Sequence, residues 1–317
     1  MSQLPLPAHL LRGFRALLNG FSQIFLQSHP GCGLLVLLAI AIGAPGLLGG
    51  ALLGGLSSTL TAQRRGYAEA DIELGLYGYN GILLGLLISL KFAWSPLLPL
   101  LIIASAGLSS LLLAPWLQRV RERHWLPAFT FPFVALSWLL LGLATPLQLQ
   151  LHSGAASAAL PLDWLGSLAA LARGLGQVIF LDSPLAGVCL LAGLLLADRR
   201  DAYWALLGSA SGMALALYQG WAQHSVLAGL YGYNAALAAI ALNQGHRRPW
   251  APLIGIVLAL LLQPGFNALG LPALTMPFIL ACWLIGASLQ LLRKAARECM
   301  PLSAPHGKSL QGDDNTP

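Results

Sequence analysis

Leu76-Tyr77-Gly78-Tyr79-Asn80 decides the reading of this chain, because the same five residues return 154 positions later as Leu230-Tyr231-Gly232-Tyr233-Asn234. Gln23, Pro30 and Gly33 return in the same register as Gln177, Pro184 and Gly187. A third block, Leu126-Pro127-Ala128-Phe129-Thr130-Phe131-Pro132-Phe133, is matched by Leu271-Pro272-Ala273-Leu274-Thr275-Met276-Pro277-Phe278 at an offset of 145. Three blocks in one order describe two copies of one unit. The first copy covers residues 1–144 and the second 167–300, joined by a linker at 145–166 that is richer in Gln, Ser, His and Pro. Residues 301–317 are polar and are expected to form a disordered cytoplasmic tail.

Charged residues make up 9% of 317 positions, hydrophobic ones 57%, and mean hydropathy is +0.72, more apolar than a water-facing surface can be. The solvent for most of the chain is lipid. Runs such as Leu97 to Leu113 and Leu253 to Leu262 carry no charge, and Leu, Ala and Gly dominate without strand-like alternation. In lipid every backbone amide needs an internal partner, so this pattern predicts an all-α polytopic membrane protein. The first copy parses into crossings near 10–27, 31–44, 46–63, 97–117 and 127–144 with a short piece near 74–90. The second parses into crossings near 168–181, 185–197, 202–221, 249–264 and 272–291 with a short piece near 228–243. Five crossings per copy invert the second relative to the first, with the short pieces taken as re-entrant half-helices. With the N-terminus inside, the 17 basic residues divide 11 inside to 6 outside, with Arg64, Arg65, Lys91, Arg173, Arg199 and Arg200 forming the outer group. Both termini are then cytoplasmic.

No basic segment, apolar core and small-residue cleavage site stand in sequence at the start, so no signal peptide is expected. Cys32, Cys189, Cys282 and Cys299 have neither disulfide nor metal-site spacing. The net charge of +6 is scattered between apolar runs, which is how membrane proteins mark cytoplasmic loops and is unlike a nucleic-acid surface.

Inverted repeats build their site at the midplane from broken helices. In the Tyr-Gly-Tyr-Asn motif, Gly permits close backbone approach and Asn80 and Asn234 can satisfy freed backbone groups. Gln23 and Gln177 put two uncharged amides where polarity is costly. Acting as helix-to-helix glue is the plain alternative, but the symmetry suits opposite mouths of one path. Thr130 and Thr275 either bond their own helix carbonyls or supply two oxygens at the centre. Tyr79, Leu83, Tyr233 and Leu237 stand at matched positions. Leu26 and Phe180 each follow a paired Gln by three residues, on the same helical face.

These paired segments, Gln-x(6)-Pro-x(2)-Gly, Leu-Tyr-Gly-Tyr-Asn and Leu-Pro-Ala-x-Thr-x-Pro-Phe, span residues from about 13 to 290 and resemble the urea transporter family. The resemblance implies passive, channel-like permeation of urea through a pore in each subunit of a homotrimer in the cell inner membrane. It also implies ten spanning helices plus two re-entrant ones and no cofactor. Gln23 and Gln177 would then bind urea at the outer and inner ends, Thr130 and Thr275 would line the middle, and Tyr79, Leu83, Tyr233 and Leu237 would form a hydrophobic slot. Where many members repeat Asn-Gly-x-Leu-x-Gly, this chain has Ala235 and Ala239. Where Phe is common it has Tyr79 and Tyr233, whose hydroxyls need partners.

Other readings fare worse. A potassium filter lacks its preceding Thr-Val, an ammonium channel would use paired histidines, and the Asn-Pro-Ala pairs of water channels are absent. No HExxH, GxSxG or P-loop points to an intramembrane enzyme or an ATP-driven pump.

Overall fold

The computed structural model describes residues 8–151, 163–245 and 249–298, and among them the regular elements are helices, with one isolated bridge between Phe92 and Leu151. The first seven are α1 (Ala8–Gln23), α2 (Pro30–Gly43), α3 (Leu48–Arg64), α4 (Glu69–Glu73), α5 (Gly78–Lys91), α6 (Leu97–Arg123) and α7 (Phe131–Gly142). The next seven are α8 (Trp164–Gly176), α9 (Pro184–Ala197), α10 (Arg199–Tyr218), α11 (Gln223–Leu227), α12 (Tyr233–Gly245), α13 (Trp250–Ala268) and α14 (Met276–Glu298). The proposed tail at 301–317 and residues 152–162 of the linker lie outside the described residues. Cys32, Cys189 and Cys282 are free thiols, and Cys299 lies outside the described residues.

Two helices, α6 and the Met276–Ala296 part of α14, are by themselves long and apolar enough to cross a bilayer. Trp164–Ile179 and Pro184–Ala197 qualify only as a pair, bent by 76°. Several other apolar helices are shorter, α2, α5 and α7 among them, as in a polytopic membrane protein with broken spans.

Local sequence sets the breaks. Pro30 and Pro184 open α2 and α9, where a missing N–H costs nothing, and the side chains of His29 and Ser183 accept the N–H groups of Cys32 and Ala186. Before each break the chain turns through a left-handed residue, Leu26 (φ 61°) and Phe180 (φ 62°). The apolar stretch 10–27, expected to be one crossing, is therefore a helix ending at Gln23 followed by a sharp turn.

Contacts fix the direction of each helix. α3 and α5 run antiparallel through small residues: a Cβ on Gly54 would collide with the Gly81 carbonyl, and one on Gly50 with Ser89. α5 thus starts beside the end of α3 and finishes beside its start. α2 and α9 also run antiparallel, with Gly31 beside Leu196 and Gly43 beside Ala186.

At one end of the molecule Arg12 pairs with Glu69 at 2.6 Å and Arg121 with Asp71 at 2.5 Å, while Gln290 donates to the His124 carbonyl at 2.8 Å. This terminal end holds the start of α1, the end of α3, the end of α6 and the C-terminal part of α14. It also holds the start of α10 and the end of α12, since α12, α13 and α14 alternate in direction and Asn243 donates to Asp201. At the opposite, linker end the Ala93 N–H donates to the Gln150 carbonyl at 2.8 Å, so Lys91 and the segment after α7 lie together.

Two expectations change as a result. Arg64, Arg65, Arg199 and Arg200 share the terminal end with Arg12, although the sequence put them on the other side. The reason is that α1 does not carry the chain across. The segments expected as re-entrant, 74–90 and 228–243, begin near one end of a neighbouring long helix and finish at its other end.

Candidate functional site

At the centre, the side chains of Thr130 and Thr275 meet, Oγ1 to Oγ1 at 2.7 Å, with each residue only 3% exposed. Neither helix was obliged to place them there. Thr130 caps α7 and Thr275 immediately precedes α14, and the residue before each, Phe129 (φ 46°) and Leu274 (φ 45°), is held in the left-handed region that side chains rarely adopt. Pro132 and Pro277 follow as early helix residues, so the chain cannot relax into a longer helix there. The expectation of helices from 127 and 272 is corrected by four residues in each case, to Phe131 and Met276.

The Tyr-Gly-Tyr-Asn motifs hold both kinks. Tyr79 donates its hydroxyl to the Phe129 carbonyl, and Tyr233 donates to the Leu274 carbonyl at 2.8 Å. The Asn80 Oδ1 accepts the Phe133 N–H at 3.1 Å, and the Asn234 Oδ1 accepts the Phe278 N–H at 3.3 Å. Those N–H groups lie in the first turns of α7 and α14, where no intrahelical acceptor exists. The halves differ at the other side of the amide. Asn234 Nδ2 donates to the Leu274 carbonyl at 3.0 Å, whereas Asn80 Nδ2 is buried without a hydrogen bond among the described residues.

Gln23 and Gln177 sit in equivalent surroundings. Gln23 Nε2 donates to the Leu74 carbonyl at 3.1 Å and to Ser28 Oγ at 2.7 Å, and Gln177 Nε2 donates to the Ala228 carbonyl at 2.8 Å. With the amide nitrogens turned to carbonyls, both Oε1 atoms face away from those helices as acceptors.

A recess of about 380 Å³ at the linker end brings together Gln177, Phe180, Tyr233 and Thr275, walled also by Phe133 and Leu87. Four of the ten sequence-predicted site residues therefore share one cavity, and Thr130 touches it through Thr275. Gln23 and Leu26 stand at the terminal end instead, so Gln23 shares its end with both terminal helices and not with the linker. Leu83 and Leu237 are enclosed in the helix core, one turn beyond the tyrosines, and the recess reaches Leu87 without them.

Several residues of this region were missed in the sequence. Phe133 packs against Phe180 with ring centroids 6.3 Å apart, and Phe129 meets Phe278 edge-on at 4.9 Å across the two halves. Phe180 is among the residues named from the sequence, and the other three, Phe129, Phe133 and Phe278, lie in the repeated blocks, so the repeat itself was the available signal. Arg173, buried one turn before Gln177, donates to the Leu227 carbonyl at 3.3 Å and lies 3.1 Å from Asp182 on the recess wall. In the other half Asn19 makes the matching bond to the Glu73 carbonyl at 2.6 Å. Because the ion pair occurs in only one half, a search for symmetric pairs passes over it.

Similarity to known proteins runs along most of the chain. The model of the family described as urea transporter matches residues 14–289. Urea transporter 1 of Ovis aries is 29% identical over 286 residues, covering 83% of this chain and 74% of the relative, and the protein of that name from Capra hircus matches equally. Urea transporter 1 of Mus musculus is 28% identical over 241 residues, covering 72% of this chain and 62% of the relative. With a match that runs from α1 into α14 and takes in all three repeated blocks, the chain belongs to the urea transporter family.

Proposed function

We propose that the protein lets urea cross the cell inner membrane passively, along a path from the Gln23 mouth through the Thr130–Thr275 waist to the Gln177 recess. The waist carries the proposal: two buried hydroxyls, one from each half, meet at 2.7 Å, and the main-chain carbonyls of Phe129 and Leu274, just before them, are held by Tyr79 and Tyr233. Urea is flat and neutral, with N–H donors along its edges and apolar faces. A row of fixed acceptors between aromatic walls fits it, and a slot without mobile charge does not compensate an ion for its lost water. The recess walls at Phe133 and Phe180 supply such faces.

The two copies, 1–144 and 167–300, are read as inverted repeats about an axis in the membrane plane, each with five crossings. Helices α1 and α8 take the re-entrant role, and α4 with α5 and α11 with α12 complete crossings in two pieces. Among basic residues with described side chains, eleven lie at the terminal end (Arg12, Arg15, Arg64, Arg65, Arg119, Arg121, Arg123, Arg199, Arg200, Arg293, Lys294) and two, Lys91 and Arg173, toward the linker end. With α1 as a full crossing the same thirteen would divide seven to six. The stronger asymmetry supports cytoplasmic termini, and with them a cytoplasmic Gln23 mouth and a periplasmic Gln177 recess, the reverse of the order the resemblance implied. A homotrimer with one path per subunit completes the reading.

The test is flux into proteoliposomes, comparing urea with ammonia, water and glycerol. Urea permeability well above that of protein-free vesicles, with glycerol unchanged, is the expected outcome. Equal acceleration of all four solutes would refute selective urea permeation.

A further inference from the structure

Asp201, in the first turn of α10, is 1% exposed and forms no ion pair among the described residues. Three carboxamides surround it instead. Its Oδ2 accepts from Gln27 Nε2 at 2.7 Å and from Gln244 Nε2 at 2.6 Å, and its Oδ1 accepts from Asn243 Nδ2 at 2.6 Å. Gln27 Nε2 also donates to the Phe25 carbonyl at 3.1 Å, and Gln244 Nε2 to the Leu26 carbonyl at 3.0 Å.

The chemistry fixes which way these amides point. A carboxylate and a main-chain carbonyl are acceptors only, so an amide facing both must present its NH₂ group to them. Both N–H bonds of Gln244 are thereby committed inward, and its carbonyl oxygen is the one polar atom left to face outward. Gln244 is exposed and bonded to Leu26, the left-handed residue that closes α1 at the Gln23 mouth.

We propose that Gln244 is a further solute-contacting group at this mouth, its carbonyl oxygen offering a first acceptor to an incoming amide N–H, and that Asp201 is the positioning residue that keeps the oxygen outward. Without the charge, only the Leu26 carbonyl still favours the inward NH₂ group, and the flipped amide, which would present donors to a solute that is itself rich in donors, becomes more populated. The arrangement belongs to one mouth only. At the offset of 154 the counterparts of Gln27, Asp201, Asn243 and Gln244 are Leu181, Leu47, Ser89 and Leu90, and the recess at the other end carries the Arg173–Asp182 ion pair instead. The inference rests on the reading of Gln23 and Leu26 as a mouth of the urea path.

The experiment measures urea flux against concentration in proteoliposomes for the full chain and for Gln244→Met, Asp201→Asn, the double variant and Gln23→Leu. Gln244→Met, on an exposed side chain, removes the acceptor without touching the core. It should lower flux at low urea by about threefold to tenfold and raise the half-saturating concentration, leaving the maximal flux nearly unchanged. Asp201→Asn should act in the same direction and add nothing in the Gln244→Met background, since it acts through that side chain. Unaltered flux and half-saturation in Gln244→Met overturn the inference whether or not the Asp201 variant folds, and additive losses in the double variant overturn the positioning role. If Gln23→Leu reduces flux while Gln244→Met does not, this inference alone fails. If neither matters, the mouth itself has been misread.

Discussion

Replacing Thr130 and Thr275 by Val, singly and together, should move stability and transport in different orders. The two hydroxyls satisfy each other at 2.7 Å in a setting where each residue is 3% exposed. Removing one leaves its partner buried without that bond, a cost of about 1–3 kcal/mol to the folded protein. Removing both leaves an apolar contact of nearly the same shape, which should return stability to within about 1 kcal/mol of the unmodified protein. Transport follows another rule. A urea N–H passing the waist must exchange water for an acceptor, and each lost oxygen raises that barrier by about 1–3 kcal/mol, partly offset in the single variants because no hydroxyl pair need be broken. Single variants should therefore lose up to about tenfold in flux and the double variant on the order of a hundredfold, even though the double variant is the more stable. Thermal unfolding in detergent gives one order, and light-scattering measurement of urea entry into vesicles with equal protein content gives the other. A double variant that conducts urea at the unmodified rate would show that the hydroxyls lie beside the path and only join α7 to α14.

Other outcomes follow from the same description. Urea uptake should be unaffected by a protonophore at constant urea gradient, because among the described residues the Thr130–Thr275 pair is joined by tyrosines and apolar side chains and by no carboxylate or basic group; abolished uptake would mean ion coupling. In a variant whose native cysteines have been replaced, a cysteine at Arg64 should react with an impermeant thiol reagent only from the cytoplasmic side and one at Lys91 only from the periplasmic side; the reverse result for Arg64 would restore the topology first expected from the sequence. Gly54→Val should prevent α3 from approaching α5, since even a Cβ there meets the Gly81 carbonyl. It should cost several kcal/mol, seen as loss of folded protein on size-exclusion chromatography; a normal yield would mean that the two helices are not in such contact.

Much of the fold is legible in the sequence because lipid leaves so few choices. Each of the twelve stretches parsed from the sequence overlaps one α-helix, with the short helices α4 and α11 outside them, and the duplicated blocks link residues as far apart as Thr130 and Thr275. What the sequence hides is geometry that hydropathy does not encode. The run 10–27 is apolar enough to be a span, yet Leu26 turns left-handed and Pro30 starts a new helix, so a count of apolar residues assigns a crossing where there is a bend. The signal was present in Ser28-His29-Pro30, a cap followed by a helix-starting proline. The tyrosine hydroxyls announce a need for partners without naming the kinked carbonyls of Phe129 and Leu274 that receive them. Asp201, Gln244 and Arg173 escape a reading built on symmetry because they occur once.

The commitment of those tyrosine hydroxyls bears on energy conservation in the cell. Protons travel through membranes by hopping along files of groups that accept and donate in turn, and a leak of that kind would dissipate the proton-motive force. Tyr79 and Tyr233 each hand their one proton to a main-chain carbonyl, which has none to pass on. With that hydrogen committed, neither tyrosine can donate to a hydroxyl or a water at the waist. For a path that carries a neutral solute, this commitment keeps both tyrosines from serving as proton relays beside the waist.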